Sequence, residues 1–303
     1  GEWRKSFEDL KLTIHEMKTV DVLEAMERKE LDLGIIAGPH FDPRLRTIPL
    51  YTEEIYIYAP SISSESITLS DLQEMHPWLL NQGARVIVSI AGETADEFGV
   101  LARKIRSTPG ISALEVNISC PNVENRGLVF AADLESSRRV IDSVRKVIGG
   151  EIPIIAKLTP DVTNIQEIAR GVVDAGADGL ALINTVLGMV INLDTMRPHL
   201  GGKTGGLSGP AIRPIAVRAI YQVHEVLPKV PILGMGGVAS GRDALEMILA
   251  GASGVSVGTA SFGNPTALIK IQSELHDLLA ARGFTSLNQA IGYAHRASQG
   301  EGR

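Results

Sequence analysis

From Ala84 onward, short apolar runs alternate with longer segments in which apolar residues recur every three or four positions. The short runs have the length of buried strands, and the longer segments have the period of amphipathic helices. The predicted strands are Arg85–Ile90, Ala113–Ile118, Ile152–Leu158, Gly179–Asn184, Val230–Met235 and Gly254–Gly258. The predicted helices are Asp96–Ile105, Ser136–Val147, Ile165–Ala175, Ile212–Val226, Arg242–Ala250 and Pro265–Ala281. This alternation predicts a parallel α/β sheet or barrel.

Every predicted strand ends in small or polar residues, or is followed directly by them. They are Ser89, Gly92, Asn117, Lys157, Asn184, Thr185, Gly236, Gly237, Gly258 and Thr259. In (β/α)8 barrels the functional groups collect at the carboxyl ends of the strands. The sequence therefore predicts an α/β fold of TIM-barrel type, in which residues 83–303 provide six βα units and a site lies at one edge.

Residues 1–82 follow a different pattern. Lys11–Glu16 reads as a strand, Val20–Lys29 as a helix and Leu31–Ala37 as a second strand, which together make one βαβ unit. Asn81-Gln82-Gly83 marks the boundary and is too short for a flexible tether. We therefore expect one merged domain, with the two N-terminal strands taking the places of the first two strands of a barrel.

Composition excludes several classes of function. The net charge of −6 gives no electrostatic basis for binding nucleic acid. No apolar run approaches the roughly 18 residues that span a bilayer, so no membrane association is expected. A single cysteine fits a reducing compartment, which predicts a cytoplasmic location. The histidines lack metal-ligand spacing, so no metal site is expected.

The only cysteine, Cys120, lies in the run Asn117-Ile118-Ser119-Cys120-Pro121-Asn122, just after a predicted strand. A lone cysteine is commonly an inert core residue. Here the strand end and the flanking amides favour a chemical role, since asparagines can hold the donors and acceptors of a small heterocycle.

Two further signals point to a phosphorylated cofactor. Gly234-Met235-Gly236-Gly237-Val238 and Val257-Gly258-Thr259-Ala260 fall at the last two predicted strands, where barrels commonly bind phosphate. The alternative is that these glycines only permit tight turns. Lys157 closes an apolar strand, which favours an anionic cofactor such as a flavin over a simple salt bridge.

From about Arg85 to Arg296 the chain resembles the catalytic subunit of class 1B dihydroorotate dehydrogenases. The motifs that carry the resemblance are NISCPN at 117–122, AKLTPDVT at 156–163, LINTVLGM at 182–189, TGGLSGPAI at 204–212, GMGGV at 234–238 and VGTA at 257–260. The resemblance implies an FMN-containing (β/α)8 barrel that oxidises dihydroorotate to orotate in pyrimidine synthesis. It also implies an iron–sulfur, FAD-carrying partner subunit, and it is compatible with a homo-oligomer.

The same resemblance assigns roles to particular residues. Cys120 would be the base that removes the C5 proton of the substrate. The substrate would be held by Asn117, Asn122, Asn184 and Thr185. FMN would be held by Ser89, Asn117, Lys157, Ile183, Gly209, Gly236, Gly237, Gly258 and Thr259. Ser89 stands where many family members have an asparagine, so its hydroxyl replaces one hydrogen bond only.

Residues 1–82 depart from the family, because the upstream glycine-rich flavin loop, the lysine and the Asn-x-x-Gly substrate loop are missing. This stretch instead resembles a fragment of the effector-binding domain of LysR-type regulators over about residues 6–80, including ELDLGIIA at 30–37 and EEIYIYAP at 53–60. The sequence therefore indicates a chimera.

Three functions remain open. The first is an FMN-dependent dehydrogenase of the dihydroorotate type, with dihydropyrimidine oxidation as a close variant, whose turnover is very weak or absent because the upstream residues are missing. The second is an inactive chimeric scaffold that binds FMN or phosphate. The third is a small-molecule-binding module of the LysR type, which would lack the second wall of its cleft.

Overall fold

The computed structural model describes Arg28 and residues 84–119 and 133–298. Its strands are β1 Val86–Ile90, β2 Ile111–Asn117, β3 Ile154–Leu158, β4 Gly179–Leu182, β5 Val186–Gly188, β6 Ile191–Asn192, β7 Arg197–Pro198, β8 Gly205–Leu207, β9 Ile232–Gly234 and β10 Gly254–Val255. Its helices are α1 Ala95–Arg106, α2 Leu134–Ile148, α3 Ile165–Asp174, α4 Arg213–Val226, α5 Gly241–Ala250, α6 Ala260–Gly263, α7 Ala267–Ala280, α8 Leu287–Ala290 and α9 Tyr293–Ser298, with a 3-10 turn at Pro210–Ile212.

The main sheet has the strand order β1-β2-β3-β4-β9-β10, and every pair in it is parallel. Because crossovers between parallel strands are right-handed, a sheet that grows in one direction places its helices on one face. Consecutive helices from α1 to α5 do pack against each other in sequence order. This is the arrangement of a half-barrel, in contrast to a doubly wound sheet, whose strand order reverses.

The two faces of the sheet differ in chemistry because side chains alternate along each strand. The face covered by helices is apolar and buried, and its strand residues include Leu114, Val116, Ile154, Ala156, Leu158, Leu180, Leu182 and Ile232. The helices pack onto it with Phe98, Val140, Ile141, Val144, Ile148, Ile220 and Val223, which are all fully buried. The opposite face carries Ser89, Glu115, Asn117 and Lys157 at in-register positions of β1 to β3.

Side-chain caps fix where four of the helices begin. Thr94, Asp133, Asn164 and Ser240 have extended backbones and accept hydrogen bonds from backbone N–H groups of the first turns of α1, α2, α3 and α5. Such a cap satisfies a donor that has no partner within the helix. The start of each of these helices is therefore fixed by its own cap residue.

The six predicted strands and six predicted helices are confirmed in order and type, with ends shifted by a few residues. The largest shift is at β10, which ends at Val255 rather than Gly258 because its ladder with β9 stops there. β4 likewise ends at Leu182, although the Ile183 N–H still donates to the Met235 carbonyl at 3.1 Å.

The segment after β4 was not predicted to contain strands. There β5 pairs with β8, and β6 pairs with β7, as two short antiparallel ribbons. Large apolar side chains are exposed along this excursion, at Leu187, Met189, Val190, Ile191, Leu193 and Met196. These ribbons of two or three residues are too short to show the alternation of period two that predicts a strand.

The predictions for residues 1–82, including the βαβ unit, the boundary at 81–83 and the merging of two domains, lie outside the described residues. Within residues 84–119 and 133–298, no helix is long and apolar enough to cross a membrane.

Candidate functional site

The polar face of the sheet places a buried ion pair across β2 and β3. The Lys157 ammonium lies 3.4 Å from Oε1 of Glu115, and the side chains of the two residues are 7% and 5% exposed. The Ser89 hydroxyl donates to the same oxygen at 2.8 Å from the neighbouring strand β1. Three adjacent parallel strands thus deliver a hydroxyl, a carboxylate and an ammonium to one point.

Coulomb attraction explains why this pair can be buried. At 3.4 Å and an effective dielectric constant of about 20, two unit charges attract by roughly 5 kcal/mol, which offsets several kcal/mol of lost hydration for each ion. The salt bridge, the alternative to a cofactor role for Lys157, is therefore present. It does not exclude the cofactor role, because one ammonium has three donors.

A second network joins the carboxyl ends of β2 and β4. The Ser119 hydroxyl donates to Oδ1 of Asn117 at 3.0 Å, and Nδ2 of Asn184 donates to the Ser119 carbonyl at 2.7 Å and to its hydroxyl at 2.9 Å. Oδ1 of Asn184 accepts from the Thr185 N–H at 2.8 Å. The side chain of Asn184 is therefore held in one orientation beside the turn that follows Asn117.

Cys120 and Asn122 lie outside the described residues, so their predicted roles stay predictions. The last described residue before this segment is Ser119, which is 2% exposed and is hydrogen-bonded to Asn117 and Asn184. The turn leading to the cysteine is therefore anchored on two strands.

Thr185 and Ile183 fall on either side of Asn184, in different surroundings. Thr185 packs directly against the backbone of Gly206 in β8, where a side chain would overlap its hydroxyl. Ile183 is 2% exposed and lies close to Gly236.

The glycine residues predicted to bind phosphate form a second cluster, around the ends of β9 and β10. A Cβ on Gly237 would lie 2.7 Å from the carbonyl oxygen of Gly209, so these two loops touch. The Thr259 hydroxyl donates to the Ser208 hydroxyl at 3.0 Å, which ties the end of β10 to the same loop. The structure therefore brings Gly209, Gly237 and Thr259 together.

The glycines of this cluster differ in what surrounds them. Gly236 and Gly237 have φ values of +116° and +79°, a region that side chains rarely adopt, and a Cβ on either would press against protein atoms. Gly209 and Gly258 have nothing within 4 Å of a Cβ position. Gly209 also has a positive φ, of +86°, so turn geometry favours glycine at 209, 236 and 237, whereas only open space adjoins Gly258.

Asp243 holds the loop after β9 in place. One of its oxygens accepts from the Ala239 N–H at 3.0 Å, and the other pairs with Arg213 at the start of α4. Asp243 is 8% exposed, and Ser240 caps the same helix. The backbone N–H groups of the loop are therefore fixed at a helix N-terminus, which favours an anion.

Comparison with known proteins decides the family. The dihydroorotate dehydrogenase profile matches residues 65–279. The catalytic subunit of dihydroorotate dehydrogenase B (NAD(+)) of Desulforudis audaxviator is 48% identical over 225 residues, which are 74% of this chain and 72% of that protein. The corresponding subunits of Desulforamulus reducens and Bacillus pumilus are 47% and 44% identical, over 74% and 73% of this chain and 73% and 70% of theirs. The chain belongs to the dihydroorotate dehydrogenase family.

A second profile, that of the LysR substrate binding domain, matches residues 1–114 and overlaps the dihydroorotate dehydrogenase match over 65–114. Within the overlap, β1 pairs with β2, and β2 pairs with β3 in the half-barrel. Residues 84–114 are therefore structurally part of the dihydroorotate dehydrogenase region.

The dihydroorotate dehydrogenase family consists of flavin-dependent oxidoreductases, and the described residues fit a flavin in two respects. A buried cation, Lys157, stands at a strand end, where it can stabilise the negative charge of a reduced ring. Open space beside Gly209 and Gly258 adjoins a loop at a helix N-terminus, which suits a phosphate.

Sequence reasoning missed four polar residues of the candidate site. Glu115 was passed over within an apolar strand, although an acidic residue in a buried run is itself a signal of a charged partner. Ser208 had no local signal, because its partner Thr259 is distant in sequence, and the contacts of Ser119 with Asn184 and of Asp243 with Arg213 are equally distant. The local contacts of Ser119 with Asn117 and of Asp243 with Ala239 could have been inferred from their short spacing. A surface depression between α2 and α3, lined by Leu134, Arg138 and Asn164 among others, contains none of the predicted site residues.

Proposed function

We propose that this chain is an FMN-dependent oxidoreductase that oxidises dihydroorotate to orotate, the activity for which its relatives are named. The observation that carries the proposal is the buried cation Lys157 at the end of β3, on the same sheet edge as the glycine cluster of β9 and β10. A flavin needs both features, one at its ring and one at its phosphate.

In this proposal the flavin lies with its phosphate against Gly209, Gly236, Gly237, Gly258 and Thr259. Its ring lies near Lys157, Ser89, Asn117 and Ile183. When bound, FMN supplies a hydride acceptor for the hydrogen on C6 of the substrate. The Lys157 ammonium would stabilise negative charge on a bound flavin ring, because it is buried where water is largely excluded.

We assign the removal of the C5 proton to Cys120. As a thiolate it takes the proton from C5 while the C5–H electron pair forms the C5=C6 double bond of orotate. Asn117, Asn122, Asn184 and Thr185 hold the carbonyl and N–H groups of the pyrimidine ring. The network through Ser119 supports this role, since it fixes Asn117 and Asn184 before a substrate binds.

Residues 1–82 are proposed to derive from a LysR-type effector-binding domain rather than from a dihydroorotate dehydrogenase. The profile match over residues 1–114 supports the origin of the fragment. The missing lysine and Asn-x-x-Gly loop would each supply about 1–3 kcal/mol of positioning, so we expect turnover to be orders of magnitude below that of the relatives.

The proposed partner is an iron–sulfur, FAD-carrying subunit, and the proposed location is the cytoplasm. The relatives are named as catalytic subunits of an enzyme that uses NAD(+), which supports a separate route for electrons. We therefore expect the isolated chain to pass electrons to a small artificial dye but not to NAD(+).

The test has two steps. The purified chain is first reconstituted with FMN, and its visible absorption spectrum is recorded after gel filtration. Flavin absorbs blue light, and its absorption bands shift relative to free FMN when it is bound to protein. Orotate formation is then followed with a dye as acceptor, in the wild type, in Cys120→Ser and in Cys120→Ala.

We expect bound FMN, slow orotate formation, a lower rate in Cys120→Ser and none in Cys120→Ala. Bound FMN with no orotate in the wild type would favour the inactive scaffold. A chain that binds no FMN at any concentration tested would overturn the proposal.

A further inference from the structure

We propose that Glu115 is a positioning residue for the flavin site, acting through Lys157 and held in place by Ser89. This inference rests on the proposed function, since it assigns a role toward the flavin. None of the roles assigned above on the basis of the family resemblance includes Glu115.

The first step in the argument is the register of the sheet. Ser89 pairs with Glu115 across β1 and β2, and Lys157 pairs with Asn117 across β2 and β3. Side chains two residues apart on a strand lie on the same face of the sheet. Glu115 therefore lies on the same face as Lys157 and two residues farther from the carboxyl ends of the strands. The lysine side chain therefore reaches back from the strand end toward the carboxylate, and its stem is buried.

The second step is the hydrogen bonding of the carboxylate. Oε1 of Glu115 receives both the Ser89 hydroxyl at 2.8 Å and the Lys157 ammonium at 3.4 Å. The hydroxyl holds the same carboxylate oxygen that the ammonium contacts, so it restricts the orientation of the carboxylate. The position of the ammonium is thus defined from two strands rather than by its own flexible stem.

The third step is charge. A buried cation beside a flavin raises the stability of the reduced, anionic ring relative to the oxidised ring. A carboxylate 3.4 Å from that cation cancels part of its field. Glu115 therefore sets how strongly Lys157 favours the reduced form, in addition to placing it.

Glu115→Gln tests this inference because it keeps the shape and an acceptor oxygen while removing the charge. The affinity of the apoprotein for oxidised FMN is measured by fluorescence quenching, and the two-electron reduction potential of the bound flavin by equilibration with a redox dye. We expect the preference for reduced over oxidised flavin to rise about tenfold, which corresponds to about 30 mV for a two-electron couple.

Two further variants separate positioning from other effects. In a Lys157→Met background, Glu115→Gln is expected to shift the potential much less, because the residue through which Glu115 acts is gone. Glu151→Gln is the matched control, since it removes the same charge from an exposed pair with Arg106. We expect the control to leave both affinity and potential unchanged.

The outcomes distinguish this inference from the function on which it rests. A wild-type chain that binds no FMN would overturn both. A wild-type chain that binds FMN, with the same potential in Glu115→Gln, would overturn only the role of Glu115. If Glu115→Gln shifts the reduction potential equally in the wild type and in the Lys157→Met background, the carboxylate acts on the flavin directly. That result would also overturn the role of Glu115 proposed here.

Discussion

The ion pair between Glu115 and Lys157 makes a prediction about folding that needs no flavin. Lys157→Met removes the cation and replaces it with an apolar chain of similar length. The carboxylate keeps the Ser89 hydroxyl as a donor but loses the opposite charge that offsets its burial. Removing one partner of a buried pair commonly costs about 3–5 kcal/mol, because an uncompensated charge remains.

The magnitude follows from the burial of the two groups. The side chains are 7% and 5% exposed, so solvent screens the pair weakly, and the gross attraction at 3.4 Å is roughly 5 kcal/mol at an effective dielectric constant of about 20. We expect Lys157→Met to lower the free energy of unfolding by about 3 kcal/mol. For a domain of this size that lowers Tm by about 6–12 °C.

The double variant Glu115→Gln/Lys157→Met removes both charges and leaves neutral groups of similar volume. We expect it to be more stable than Lys157→Met alone, with a coupling energy of about 2 kcal/mol between the two positions. Urea unfolding of the FMN-free protein, followed by far-ultraviolet circular dichroism, measures all four corners of the cycle. The slope with urea must stay constant for the comparison to hold.

The same cycle on Arg106 and Glu151 is the control, because that pair is exposed, with 47% and 57% of the side-chain surfaces accessible. We expect a much weaker coupling there than between positions 115 and 157, because solvent screens an exposed pair even when its contact is bidentate. If the effects at positions 115 and 157 add to within about 0.5 kcal/mol, the two charges do not stabilise each other and the electrostatic reasoning is wrong.

Two other predictions follow from the described residues. Burial, together with the nearby His295 and Arg296, lowers the pKa of His224 below its ordinary value of 6.5, and its Nδ1 is buried without a hydrogen-bond partner among the described residues. As the pH falls, His224 is therefore protonated in the unfolded chain before it is protonated in the folded one. The contribution of His224 to stability is full above pH 6.5 and is lost as the pH falls from there through the lowered pKa of the folded state. The urea midpoint of the wild type should fall over this pH range, and in His224→Gln it should change less. Gly236→Ala should lower Tm with and without FMN, because the φ of Gly236 is +116°. Gly258→Ala should leave Tm unchanged and weaken FMN binding, because its Cβ would enter the open space proposed for the phosphate. Equal effects of the two variants on Tm and on FMN affinity would refute these different roles.

The sequence by itself determined the order of elements and the edge at which chemistry collects. Buried strands and amphipathic helices differ in period and in length, so the six βα units could be predicted to within a few residues. Asn117 and Lys157 could be placed at one edge because parallel strands share a direction. The motif around Cys120 and the glycine motifs at 234–238 and 257–260 indicated the family without any knowledge of tertiary contacts.

The tertiary structure alone decided which side chains meet. Glu115 and Lys157 are 42 residues apart, Asn184 and Ser119 are 65 apart, and Thr259 and Ser208 are 51 apart. Local periodicity says on which face of a strand a residue lies but not which residue stands opposite, because the register between strands is set by packing of the whole sheet. For the same reason the requirement for glycine at Gly237 became clear only when the carbonyl of Gly209 was found beside it.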